Sequence, residues 1–331
     1  MISEKYKAML GGKSVIRTLS EFAAKRGTEI GYENVFDYSL GNPSVPVPKE
    51  FTDCCIRLLQ EEDPKEIHGY SPSLGIQSVR EAVAASLNRR FGMNYRPEHI
   101  FMASGAAGAL AHAFRAVTKP GDEILTFAPF FPEYRPYVEG TGAVLKVVPA
   151  DTDSFQIHFE AFEEMLSGQV TAVLINSPNN PSGVVYSEET IRTLAEILNR
   201  KQEEYGHDIF LISDEPYREI VFDGKQAPYV SCYYANTISC YSFSKSLSLP
   251  GERIGYVAVN PACREAETIV NMCGQISRGT GHNCPPSLIQ LAVAQVIDQT
   301  ADLSVYETNM KLLYDLSLIH SWGLYRGESP A

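Results

Sequence analysis

The seven cysteines form no Cys-x-x-Cys pair, and their number is odd. This argues against a disulfide framework and against a cysteine-based metal motif, and points to reduced thiols in a cytoplasmic protein. The seven histidines, at positions 68, 99, 112, 158, 207, 282 and 320, show no metal-ligand spacing among themselves or with cysteine. No metal is therefore expected. No Gly-x-Gly-x-x-Gly follows a strand, and no Walker-type Gly-x-x-x-x-Gly-Lys-Ser/Thr loop occurs, which removes the commonest dinucleotide and nucleoside-triphosphate folds. No apolar run approaches membrane-spanning length, and Met1 to Gly12 is charged and broken by Gly11-Gly12, so neither a signal peptide nor a membrane helix is expected. Basic residues are also short: 28 Lys and Arg stand against 40 Asp and Glu, a net charge of -12. Nucleic acid and anionic membrane, which both require a basic face, are poor partners for such a chain. Internal repeats and low-complexity linkers are absent as well.

What is present is an alternation of short apolar runs and longer amphipathic ones. Glu123–Phe127, Thr171–Asn176, Ile209–Ser213, Thr237–Tyr241 and Tyr256–Val259 read as strands. Ser187–Gln202 reads as a helix opened by a Ser-x-x-Glu-like cap. Near-continuous apolar strands alternating with helices predict an α/β fold with a mostly parallel sheet covered on both faces. The 331 residues suffice for one large domain and a smaller one. Tyr38–Pro48, rich in Gly, Pro and Asn, reads as an irregular entry into the main domain.

The polar residues fall at carboxyl ends of these strands. Asn180 follows the strand ending at Asn176, Asp214 the strand ending at Ser213, and Ser242 and Lys245 the strand ending near Tyr241. Open α/β sheets place their ligands at that edge. Lys245, in Ser242-Phe243-Ser244-Lys245, combines an amine nucleophile with nearby hydroxyls, and Arg253 follows in Gly251-Glu252-Arg253-Ile254-Gly255. Such a set suits a phosphate-bearing aldehyde, and pyridoxal phosphate is one. A solvated loop lysine gives the same four residues when they stand alone. Ala103-Ser104-Gly105-Ala106-Ala107-Gly108 precedes the helical pattern Ala109–Val117, so backbone N–H groups at a helix start can face an anion; close packing is the other account. Asp214 in Ser213-Asp214-Glu215-Pro216-Tyr217 fits a carboxylate paired with a pyridinium nitrogen, or a turn aspartate. Tyr217 and Asn180, the latter in the turn Asn179-Asn180-Pro181-Ser182-Gly183, are within reach of a ring oxygen. Phe131 in Pro129-Phe130-Phe131-Pro132-Glu133-Tyr134 can stack on a ring or serve the core.

Taken in order, Leu40-Gly41-Asn42-Pro43, Tyr70 with Gly75, Ser104–Gly108, Pro129–Tyr134, Asn180–Gly183, Asp214–Tyr217 and Ser242–Gly255 resemble the class I/II aminotransferases, which are fold-type-I pyridoxal-phosphate enzymes. The resemblance runs to about Asn309. It implies a large cofactor-binding α/β domain at 46–285, an N-terminal segment 1–45 contributing to a small domain, and a linking helix with a shortened small domain at 286–331. It implies that Lys245 forms a Schiff base with the cofactor and shuttles a proton. Gly105, Ala106, Ala107, Ser242, Ser244 and Arg253 would hold phosphate, Phe131 would stack, Asn180 and Tyr217 would bind the ring oxygen, and Asp214 would pair with the ring nitrogen. Tyr70 resembles the tyrosine lent to a neighbouring subunit, which implies a homodimer with shared sites. Gly41 resembles the backbone contact to the substrate carboxylate, with Asn180 beside it. The expected reaction moves an amino group between an L-amino acid and a 2-oxo acid. A lyase or decarboxylase on the same fold, or a non-catalytic cofactor-binding homologue, are the rivals.

The pattern departs from the family near the end. After Lys311-Leu312-Leu313-Tyr314-Asp315 the chain reads Leu316-Ser317-Leu318-Ile319-His320-Ser321-Trp322 and ends at Ala331, without the strands and the carboxylate-gripping arginine of the family. Arg326 lacks the apolar flanks of that motif and is not given the role. A truncated or frameshifted gene product would account for this, as would a divergent enzyme that recruits Arg278 or another cation. Arg278 and His282 lie where specificity determinants can sit, but a solvated loop is the better account of both.

Overall fold

The computed structural model describes residues 2, 7, 15–39 and 41–326, with side chains to residue 317. Leu40, most of Met1–Gly12 and Gly327–Ala331 lie outside them. The chain divides into two units, Met1–Ser44 and Val45–Ala331. The first carries the helix Val15–Ile30 and a single 3-10 turn, Tyr32–Asn34.

The second unit is built on one seven-stranded sheet: β1 (Ile100–Ala103), β2 (Glu123–Phe127), β3 (Val144–Val148), β4 (Val170–Asn176), β5 (Phe210–Asp214), β6 (Thr237–Ser242) and β7 (Gly255–Val259). Their order is β1-β7-β6-β5-β4-β2-β3. The pairs β2–β3, β2–β4, β4–β5 and β5–β6 are parallel, whereas β7 runs antiparallel to both β6 and β1. β1, β2, β6 and β7 are buried along their whole length, so both faces are covered, as the unbroken apolar runs require. On one face, the helices Gly105–Val117 and Ala266–Gly279 pack with Phe101, Ile212, Ile238 and Val257. On the other, Glu188–Tyr205 lies on β4 and β5, and Lys49–Glu61, Gln77–Phe91 and Ser287–Gln295 cover β1 and β7. Each buried Leu, Ile or Phe in these layers contributes about 1.5–3 kcal/mol relative to exposure.

Boundaries shift in places. The helix expected to open at Ala109 begins at Gly105, because small residues let the first turn form directly against the sheet. Asp214 is the last residue of β5 and Ser242 the last of β6, each one position nearer the strand than the sequence places them. The helix anticipated from Ser187 spans Glu188–Tyr205, and the Ser187 hydroxyl caps it by accepting from the Thr190 N–H. The short strands β1 and β3 were not distinguished in the sequence.

Candidate active site

The sheet register brings distant segments into two nearby rows. Ala103 pairs with Gly255, and Gly255 with Ser242; two residues back along β6, Cys240 pairs with Asp214 and Asp214 with Asn176. The end of β1, the start of β7 and the end of β6 thus meet beside the ends of β5 and β4. Close approach depends on Gly255: a Cβ there would lie 2.2 Å from the Tyr241 carbonyl oxygen and 3.0 Å from the Gly105 Cα.

The first row forms an anion cradle. Gly105 opens its helix at φ +67°, a backbone conformation that glycine adopts without strain. Ser104, the N-cap, makes no side-chain cap bond, so it does not occupy the N–H groups of the first turn, which includes Ala106 and Ala107 and which lack intrahelical acceptors. Arg253 closes the cradle: its Nη2 donates to the Ser104 carbonyl at 3.4 Å, and its Nη1 donates to the Pro250 carbonyl at 2.9 Å. Its own backbone is left-handed, at φ 53°. On the far side the Ser242 hydroxyl accepts from the Ser244 N–H at 3.1 Å and donates to Ser244 Oγ at 2.7 Å. Lys245 follows in the short helix Phe243–Ser246. Burial lowers its amine from the ordinary lysine value, which favours the nucleophilic neutral form.

The second row holds the carboxylate. Asp214 is buried, and Tyr134 donates to its Oδ2 at 2.5 Å, while Oδ1 has no partner. Burial pushes this carboxyl up to about 7, against the Tyr134 hydroxyl, which favours the ionised form. An orphaned buried carboxylate oxygen calls for a donor or cation, and a protonated pyridine nitrogen is both. Asn180 Nδ2 donates to the Tyr217 hydroxyl at 3.4 Å. Burial, then the Asp214 charge, raise the Tyr217 phenol, so it remains a proton donor at neutral pH. Phe131 is half-buried and meets the Tyr134 ring edge-on, with centroids 5.6 Å apart.

Three residues with structural parts in this arrangement were not singled out from the sequence. Tyr134 was quoted only within its motif, although it holds Asp214. Asn176 donates from Nδ2 to the Asp214 carbonyl at 2.9 Å and accepts from the Asn180 N–H at 2.6 Å, joining two loops. Gly255 sets the spacing of the cradle. The available signals were a lone polar residue ending an apolar strand and a glycine opening another.

Residues 33–314 match the family of class I and II aminotransferases. The chain belongs to that family. An aspartate aminotransferase from Thermotoga maritima is 33% identical over 228 residues, 68% of this chain and 58% of that protein. A probable aspartate/prephenate aminotransferase from Aquifex aeolicus is 35% identical over 230 residues, 68% and 56% of the two chains. Among solved structures, an amino transferase from Eubacterium rectale superposes with a TM-score of 0.91 at 45% identity, over 95% of this chain and 80% of that one. The chain therefore spans less than two thirds of the length of these curated relatives.

Within this aminotransferase-family chain, two expected site residues are not among the paired strand ends. Gly41 belongs to the first unit. Tyr70 is 95% exposed, on a groove of about 490 Å³ that it shares with His68, His282, Cys284 and Leu288. No helix among the described residues is long and apolar enough to cross a membrane.

Proposed function

We propose that the protein is a pyridoxal-phosphate-dependent aminotransferase that moves an amino group from an L-amino acid to a 2-oxo acid. The observation that carries this reading is the buried Asp214, held by Tyr134 on one oxygen and left unpartnered on the other, beside a glycine-opened helix and a lysine lowered by burial. The residues fit the cofactor. The N–H groups of Gly105, Ala106 and Ala107, with Ser242, Ser244 and Arg253, would bind its phosphate as a charge-assisted set. Asp214 Oδ1 would accept from the ring nitrogen, Asn180 and Tyr217 would hold the ring oxygen, and Phe131 would stack on the ring. Bound there, pyridoxal phosphate supplies an electron sink for the substrate's α carbon.

The chain's residues do the rest. The Lys245 amine would hold the cofactor and, once exchanged for the substrate's amine, would move the proton from the substrate's α carbon to the cofactor rather than back to that carbon. Tyr217 keeps its proton and donates to the ring oxygen. Gly41 and Asn180 orient the substrate carboxylate, and Tyr70 reaches the phosphate of a second copy in a homodimer.

Borohydride reduction of the protein incubated with pyridoxal phosphate, followed by peptide mass spectrometry, tests the attachment: the mass increment belongs on Lys245. Adding an amino acid should convert the cofactor to its amine form, and a 2-oxo acid should restore the aldehyde. Label at another lysine, or ammonia released without need of a 2-oxo acid, contradicts the proposal.

A further inference from the structure

The turn that carries Tyr217 is fixed by side chains that the reaction does not use. Residues 215–220 belong to neither strand nor helix, and Pro216 lacks an N–H. Backbone bonds along the turn run from Glu215 N to the Cys240 carbonyl at 2.9 Å, Arg218 N to the Glu215 carbonyl at 3.3 Å and Ile220 N to the Tyr217 carbonyl at 2.8 Å. Beneath it lies a dense ionic cluster. Arg218 Nη1 donates to Glu215 Oε2 at 2.9 Å, Nε to Glu219 Oε1 at 3.2 Å and Nη2 to the Tyr256 hydroxyl at 3.0 Å. Arg90 Nη2 donates to Glu219 Oε1 at 2.8 Å, Tyr241 to Glu219 Oε2 at 2.9 Å, and Ser239 to Glu215 Oε1 at 3.0 Å. The Arg218 side chain is only 4% exposed, and its guanidinium carbon sits 4.3 Å from the Tyr241 ring centre. Two arginines balance two glutamates.

Successive strand residues face opposite sides of a sheet. Asp214, the last residue of β5, meets Tyr134 on one face; Glu215, just past the strand but still bonded through its N–H to the Cys240 carbonyl, meets Ser239 and Arg218 on the other. With Glu215, Arg218 and Glu219 all drawn to that far face, Tyr217 is left toward Asn180. Buried ion pairs are weak stabilisers, since apolar replacements of similar volume often do as well. What a planar five-donor fork fixes is geometry.

We infer that Glu215, Arg218 and Glu219 are positioning residues: their buried cluster locks the Asp214–Tyr217 turn from behind and so sets the two groups that hold the cofactor ring. This rests on the cofactor reading given above.

The test measures binding of pyridoxal phosphate directly and of inorganic phosphate by competition, in the full chain and its variants. Arg218→Met should weaken pyridoxal phosphate about tenfold, equivalent to 1.4 kcal/mol, while inorganic phosphate stays within about twofold, because the cradle is built from other segments. In a Tyr217→Phe background the same substitution should cost much less, since residues acting through one another are not additive. Glu215→Gln, which keeps Ser239 and Arg218 as donors, is the milder second variant if Arg218→Met does not fold, with an expected loss of about threefold in the same selective sense. Unchanged pyridoxal phosphate affinity, an equal loss for both ligands, or full additivity with Tyr217→Phe overturns the inference while native binding still supports the cofactor site. Failure of the native protein to bind pyridoxal phosphate overturns both.

Discussion

Asp214 carries a desolvation cost that a cation can remove, and this makes its behaviour without cofactor informative. Its folded value, about 7, lies above the ordinary 3.8. Below the unfolded value both states are protonated and nothing is lost; as pH rises toward 7 the unfolded chain gives up its proton first, and stability falls. Asp214→Asn should therefore stabilise the cofactor-free protein at pH 8 relative to pH 4 by on the order of 4 kcal/mol, read from denaturant unfolding at both pH values. A pH-independent difference would place the charged carboxylate in water. Tyr134→Phe removes the donor to Oδ2 and should weaken pyridoxal phosphate binding about five- to tenfold, from a lost bond to a charged group of about 1.5 kcal/mol or less after relaxation; equilibrium titration checks it. At this scale Lys245, Asp214 and Arg253 were legible because their chemistry is local to a motif. Tyr134 was not, because its partner lies 80 positions away.

Among elements, the helix Gly105–Val117 is set by its first residue. A Cβ on Gly105 would lie 2.9 Å from Arg253 Nη2, and the backbone there is left-handed. Gly105→Val should reduce affinity for both pyridoxal phosphate and inorganic phosphate by at least about tenfold, since it combines an unfavourable left-handed residue with displacement of the arginine. Ser187→Ala is the contrasting case. Its lost cap should lower unfolding stability by about 1 kcal/mol with no change in cofactor affinity, and a loss of affinity there would mean that the helix Glu188–Tyr205 reaches the site. Five strands could be read because strands buried on both faces, four of them in the parallel part of the sheet, are continuous apolar runs. β1, only four residues long, and β3, with an exposed first residue and two half-buried ones, lack that signal. The antiparallel direction of β7 is set by how segments far apart in sequence pair, which no local pattern records.

For the whole molecule, the nearly complete exposure of Tyr70 supports the proposal that a second copy uses it. Chains carrying Tyr70→Ala and chains carrying Lys245→Ala should each be impaired, whereas their equimolar mixture after subunit exchange should recover up to about a quarter of native activity, from one intact site in each mixed dimer and mixed dimers as half of the population. No recovery after verified subunit exchange would confine each site to its own chain. The sheet order has a further consequence. Ala103 pairs with Gly255, so the cradle needs residues from both ends of the sheet-forming segment. During synthesis at about 5–20 residues per second, about 8–30 s pass between the emergence of Ala103 and that of Gly255. Through that interval the first part of the cradle is out of the ribosome but the phosphate has no seat. Cofactor capture on this scaffold is thus an event of the finished sheet, and a nascent chain stalled before Gly255 should be blind to the vitamin.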